Sequence, residues 1–179
     1  IFKDLFMQST APGPIIFIFT RKTYGGAIYC SNGQKILIIK SHFKANTYPF
    51  EGGAVWCKMY SFLIVSHVDF VKNKADYGGS IFTSEITNMI FAYVLLSENK
   101  AKSGGAIQSS KIQSMVVHNT KILRNSGDRN MDTRGAGVLC KMCKHLKILY
   151  SKFIENSHVF KGSGLHLYDI KTLQIINSS

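Results

Sequence analysis

The sequence predicts an all-β protein, a parallel β-solenoid of about six coils with three short strands in each. Three observations carry this. A glycine and an asparagine recur along the 179 residues at a fixed separation. The residues between them fall into apolar columns whose local spacing is two. All variation in length is confined to one place in each unit.

The glycine anchors are Gly25, Gly52, Gly78, Gly104, Gly135 and Gly162, and the asparagine anchors are Asn46, Asn73, Asn99, Asn125 and Asn156. From Gly to the following Asn the distance is 21 residues in all five cases, whereas from Asn to the next Gly it is 6, 5, 5, 10 and 6. A rigid block therefore alternates with one adjustable loop. Such a period of about 26 residues means stacked copies of one unit, none of which can bury its apolar face alone.

Within the block, the first column is Ile28, Val55, Ile81, Ile107, Val138 and Leu165. Next come Ile36, Leu63, Met89, Met115, Leu146 and Leu173, and two residues further on Ile38, Val65, Phe91, Val117, Ile148 and Ile175. Three residues before the Asn stand Phe43, Phe70, Leu96, Ile122 and Phe153. Apolar residues two apart mark the inward side of a strand. Stacking one unit per strand spacing, about 4.8 Å, turns each column into a ladder through the core. The repeated Asn fits a corner, because Asn tolerates left-handed geometry and stacked amides bond from coil to coil. The glycines supply the other tight bend.

Residues 1–14, with "APGP" in them, read as a lead-in segment, and 15–179 as a single β-helix domain. In the incomplete first coil Ile15 and Phe17 occupy core columns and Thr20 takes the Asn place. The last coil stops after "LQIINSS", and neither end carries an evident cap. The expectation is a piece of a longer chain. No apolar run reaches the roughly 20 residues of a membrane span.

"GGAI" stands at Gly25–Ile28 and Gly104–Ile107, "GGAV" at Gly52–Val55 and "GGSI" at Gly78–Ile81; "FKAN", "FVKN" and "FIEN" form the second motif, while "LSEN" and "ILRN" lack its aromatic. Over roughly residues 15 to 179 this pairing resembles the repeats of the polymorphic outer membrane protein family, which are similar to repeats in large surface proteins of protists. The resemblance implies a right-handed, pectin lyase-like β-helix and an adhesive role at a cell surface. The membrane barrel of that family has no counterpart in these residues.

Composition narrows the chemistry. A net charge of +12 suits an acidic or carbohydrate surface, but the lysines are scattered and no specific nucleic-acid motif is present. Six Asp and four Glu are few for a polysaccharide lyase or hydrolase, which groups carboxylates on one face. Asp69 and Glu98 occupy different columns, and His67 with Asp69 has no acidic partner above it. Cys30 and Cys57 share an inward column with Thr83, Ser109 and Cys140, where in-register pairing favours free thiols. "CKMC", Cys140 to Cys143, has the spacing of half a zinc site, without a second pair. Cys143 falls in the column of Tyr60, Ile86, Ile112 and Ile170, a core position. No metal or other cofactor is expected.

Outward residues point instead to binding. One column reads Tyr29, Trp56, Phe82, Gln108, Leu139, His166; another reads Leu37, Ile64, Ile90, Val116, Lys147. The column before each Asn is polar: Lys72, Glu98, Arg124 and Glu155 follow Ala45. The one enlarged loop, "SGDRNMDTR", holds Asp128, Arg129, Asp132 and Arg134. The expected function is a non-enzymatic structural or adhesive segment of a larger extracellular or surface protein. Its partners would be other protein chains, or flanking parts of the same chain, held by Tyr29, Trp56, Phe82, Ile64, Ile90 and the loop. The alternatives are a scaffold subunit inside an intracellular assembly and a fragment of a β-helix carbohydrate-active enzyme.

Overall fold

The computed structural model describes residues 26–127, 134–157 and 161–179. The lead-in segment, Ile15, Phe17, Thr20 and Gly25, and the loop residues Asp128, Arg129 and Asp132 lie outside them. The described chain is all β. It forms a parallel solenoid of about five turns.

Each complete coil contributes one strand of 12 residues and one of three. In chain order these are β1 (Ile28–Ile39) and β2 (His42–Lys44), β3 (Val55–Ser66) and β4 (Asp69–Val71), β5 (Ile81–Ala92) and β6 (Leu95–Ser97), β7 (Ile107–His118) and β8 (Lys121–Leu123), and β9 (Val138–Leu149) and β10 (Lys152–Ile154). The last coil has β11 (Leu165–Tyr168) and β12 (Thr172–Ile176). Long strands stack in the order β1-β3-β5-β7-β9-β11, with β12 also on β9, and short strands in the order β2-β4-β6-β8-β10. All pairing is parallel, and the register joins the sequence columns: Ile28 to Val55, Val55 to Ile81, Ile81 to Ile107 and on to Val138 and Leu165.

The expected three straight segments per coil appear with a different boundary. The first two are arms of one long strand, which bends at its fifth residue. That residue, Asn32, Met59, Glu85, Lys111 or Met142, has a φ of 54–59°. In the last coil Asp169, φ 57°, separates β11 from β12 at the same place.

The Asn corner needs a correction of its own. The left-handed residue is not the asparagine but its predecessor: Ala45, Lys72, Glu98, Arg124 and Glu155 have φ of 51–57°. A single left-handed residue turns the chain through the corner and leaves the next side chain facing inward. That side chain is the Asn amide. Asn99 donates its backbone N–H and one Nδ2 hydrogen to Oδ1 of Asn125, both at 2.9 Å. Its other Nδ2 hydrogen goes back to the carbonyl of Phe70 at 2.9 Å. Its own Oδ1 accepts both the backbone N–H (2.9 Å) and Nδ2 (3.1 Å) of Asn73. The pattern runs unbroken from Asn46 to Asn156. Asn73, Asn99 and Asn125 are completely buried, yet every polar atom of the amide is satisfied.

At the preceding corner Ser41, Thr120, Ser151 and Ser178 turn their hydroxyls onto the carbonyl two residues earlier. There Ser151 Oγ also accepts the N–H of Thr120, and Ser178 Oγ that of Ser151. Glycine is required where the loop returns. Gly78 has a φ of 63°, and a Cβ on Gly79 would strike the carbonyl oxygen of Gly105 in the next coil.

Asn99→Ala removes one rung and strands the backbone N–H of Asn73 and the carbonyl of Phe70. It is expected to cost about 1–3 kcal/mol in a denaturant melt. The exposed corner change Lys72→Ala should cost about 1 kcal/mol or less. Equal losses would show that the amide column is not what holds the corner.

Candidate functional site

The outward column led by Trp56 is not an open face. Its rings stack along the axis, Tyr29 on Trp56 at 4.6 Å between centroids and Trp56 on Phe82 at 6.4 Å. Trp56 Nε1 donates to Oε2 of Glu51 at 2.8 Å. Glu51 belongs to the Asn-to-Gly loop, which folds back over the start of the long strand. The glycine column lies against the outward column itself: a Cβ on Gly104 would sit 2.7 Å from Cβ of Gln108, and one on Gly135 3.0 Å from Cβ of Leu139. Trp56 and Phe82 keep only 7% and 9% of their surface, and Leu139 none. Of the two covers expected here, another chain or a further part of the same one, the same chain supplies the cover at Trp56, Phe82 and Leu139.

The second outward column is different. Leu37, Ile64, Ile90 and Val116 are half-buried and Lys147 is exposed. They lie mid-strand between two corners, away from the Asn-to-Gly loops of the described residues. Beside Ile64 on the same side stands Phe62, 43% exposed. At the adjoining corner the ring of His67 stacks on Tyr93 at 4.8 Å, Tyr93 meets His118 edge-on at 5.8 Å, and His118 meets Tyr150 at 5.7 Å. Tyr93 and Tyr150 are each 52% exposed. This aromatic strip escaped the sequence reading. Its corner column also contains Lys40 and Asn119, so it is not uniform, and His118 joins it from the neighbouring column.

Charges run along the corners in alternation. Lys72 pairs with Glu98 at 3.5 Å and Arg124 with Glu155 at 2.8 Å. The hydrogen bond to Glu155, followed by its charge, raises the Arg124 guanidinium further above an already basic value. The "HVD" pair is split: Asp69 meets His42 of the preceding coil at 3.5 Å, while His67 contacts Ser66 Oγ at 2.9 Å. Asp69 and Glu98 are not brought together. Among the described residues no three His, Cys, Asp or Glu side chains group as a metal site would require. Arg134, half-buried, ends the enlarged loop; its backbone bridges to Lys161 and its carbonyl accepts the N–H of Gly104.

The cysteines divide into two pairs. Cys140 and Cys143 both point inward across the bend at Met142 and form a disulfide, with Cα atoms 6.2 Å apart. Cys143 fills the core as its column suggested, and the bend adds the bond. Cys30 and Cys57 are stacked neighbours with free thiols. Burial pushes Cys30 up to about 12. It raises Cys57 well above the ordinary value, with the nearness of Cys30 a second cause. Neither thiol is set up as a nucleophile.

Compared with protein-family models, curated proteins and solved structures, the chain matches none. Among the described residues no helix is long and apolar enough to cross a membrane.

The thiols give a pH dependence of known sign. Above about pH 9, the ordinary value, unfolded Cys30 and Cys57 lose protons that the folded thiols keep. The native state then binds more protons, so their contribution is complete below pH 9 and is lost as pH rises toward 12. The unfolding free energy should fall by about 3 kcal/mol by pH 10, roughly half from each thiol. A Cys30→Ala/Cys57→Ala chain should show a flatter slope over that range. Identical slopes would place both thiols in water.

Proposed function

We propose that this chain is a non-enzymatic β-helix segment of a larger structural or adhesive protein, and that it binds a partner through the half-open face of its long strands. The observation that carries the reading is the row Leu37, Ile64, Ile90 and Val116, half-buried beside the exposed rings of Phe62 and Tyr93. A sheet whose inner side already fills the core, and whose outer side is still apolar, is suited to a second cover. Tyrosine rings at the rim add the kind of side chain that concentrates energy at contact surfaces. Arg134 holds the end of the enlarged loop.

An extracellular or surface location is supported by the Cys140–Cys143 disulfide, because such bonds persist in oxidising compartments. It also agrees with the resemblance of the "GGAI" and Phe-x-x-Asn motifs to surface-protein repeats. Low acidity speaks for binding over hydrolysis, since Asp69, Asp76, Glu85, Glu98 and Glu155 are each tied to a Lys, Arg or His.

The test is retention of the fluorescently labelled chain on its native surface. Ile64→Asp combined with Ile90→Asp is expected to lower retention at least tenfold, with the melting temperature as a check on folding. Lys72→Ala should leave retention unchanged. Attachment by the apolar face should also survive a high-salt wash, which weakens exposed charge pairing. Full retention by the double variant would exclude this face.

A further inference from the structure

We propose that a groove along the Glu85–Lys111–Met142 corner binds one unit of an anionic polysaccharide. The groove is open to solvent along its length and offers about 330 Å³, at the lower end of small-ligand sites, roughly 300–1,000 Å³. It follows from the local fold. Glu85, Lys111 and Met142 are the left-handed residues at which three successive long strands bend. The next residue in each turns inward, and Ile86, Ile112 and Cys143 are buried. The one after that, Thr87, Gln113 or Lys144, turns outward again and is exposed. Two parallel walls result, with backbone for a floor, and they span three coils.

The walls carry the chemistry of a sugar site. Thr87 and Gln113 offer a hydroxyl and an amide, both able to donate and accept. Met142, 42% exposed, offers a thioether and methylene surface for the C–H face of a ring. The charge balance selects an anion. Glu85 is shared between Lys58 at 3.5 Å and Lys111 at 3.6 Å, so its carboxylate is neutralised with a positive charge to spare. Lys144 meets no carboxylate among the described residues. Two ammonium groups of the groove lining, Lys111 and Lys144, therefore accompany one carboxylate that Lys58 already meets from outside the groove, in a chain of net charge +12. A carboxylated or sulfated sugar satisfies both features; a neutral sugar leaves the ammonium groups unanswered, and a bare anion leaves Thr87, Gln113 and Met142 unused.

Calorimetric titration of the full chain at physiological salt tests this. The probes are a sulfated heparin tetrasaccharide, a carboxylated hyaluronan tetrasaccharide, a neutral glucose tetrasaccharide, inorganic sulfate and a single-stranded oligonucleotide. At least one anionic tetrasaccharide should saturate at one per chain, and which one does identifies the acid group. The neutral sugar and free sulfate should bind at least tenfold more weakly. Lys144→Glu should weaken the anionic sugar at least tenfold, Gln113→Ala several-fold, and Lys121→Glu, on the opposite sheet, less than twofold. The proposal is overturned if neither anionic sugar saturates, if Lys121→Glu costs as much as Lys144→Glu, or if the oligonucleotide binds as tightly as the sugars. Ile64→Asp lies outside the groove and should not change sugar affinity, so this result and the fate of the apolar face are read separately.

Discussion

In-register stacking is the constraint on which the rest of this molecule depends. Each coil lies one strand spacing, about 4.8 Å, from the next, so every side chain sits on the corresponding residue of its neighbours. A buried polar group must then be satisfied by its own copy. Asparagine meets that demand because its amide carries two donors and an acceptor at one end. Asn99 accepts from one coil, donates to the next, and returns its remaining hydrogen to the Phe70 carbonyl. One inward hydroxyl pair does the same, with Thr83 donating to Ser109 of the next coil at 2.8 Å. The rule also explains where length is tolerated. An insertion inside the 21-residue block would shift every ladder at once. The extra residues of the 126–134 loop lie outside it, and the register is recovered by the time the backbone of Arg134 accepts from Gly104.

Stacking also pays for backbone strain. Among the described residues, Met59, Tyr93, Arg124 and Met142 all sit at φ between 53° and 58°, a region that costs an ordinary residue roughly 1–3 kcal/mol. Local sequence does not ask for these conformations; Asn32 and Asp169 are exceptions at similar corners. They persist because the residues on either side are held in ladders. Like charges on one ladder would repel at close range. The Lys72, Glu98, Arg124, Glu155 corner alternates in sign, and Glu85 meets Lys111 on its own ladder and Lys58 from the adjoining column.

How much of this was legible depends on what writes a repeated signal. The four apolar ladders and the asparagine column were readable, because burial forces the same residue class at every coil. The left-handed corners were not: Ala45, Lys72, Glu98, Arg124 and Glu155 share a conformation but no chemistry. The cover over Trp56 was hidden for a related reason. Alternation along β3 places that ring outward, but only the return path of the loop, with Glu51 and Gly52 beside it, decides whether outward means exposed. Likewise Cys140 and Cys143 read as two unrelated columns until the bend at Met142 joins them. The groove along that corner was invisible in sequence, since its walls vary from Thr to Gln to Lys.

The contrast between the two outward columns bears directly on function. Both are apolar, and both lie on strands already covered within. The Trp56 column is buried at Trp56, Phe82, Gln108 and Leu139, where the glycine bend lies against it and Glu51 of the adjustable loop accepts from the Trp56 ring. The Ile64 column lies between the bend at Met59 and the corner at His67, where consecutive segments of the described residues join through single left-handed residues. Its exposure is thus a consequence of the connectivity of every coil, not of one unfilled position. A surface generated in this way is a straight array with the spacing of the sheet itself. A partner that matches one coil matches the next, so contacts of modest individual strength add along the axis at little further cost in ordering a rigid face. That is an arrangement for holding a partner along a line, and it requires no side chain whose titration or nucleophilicity has been adjusted for chemistry.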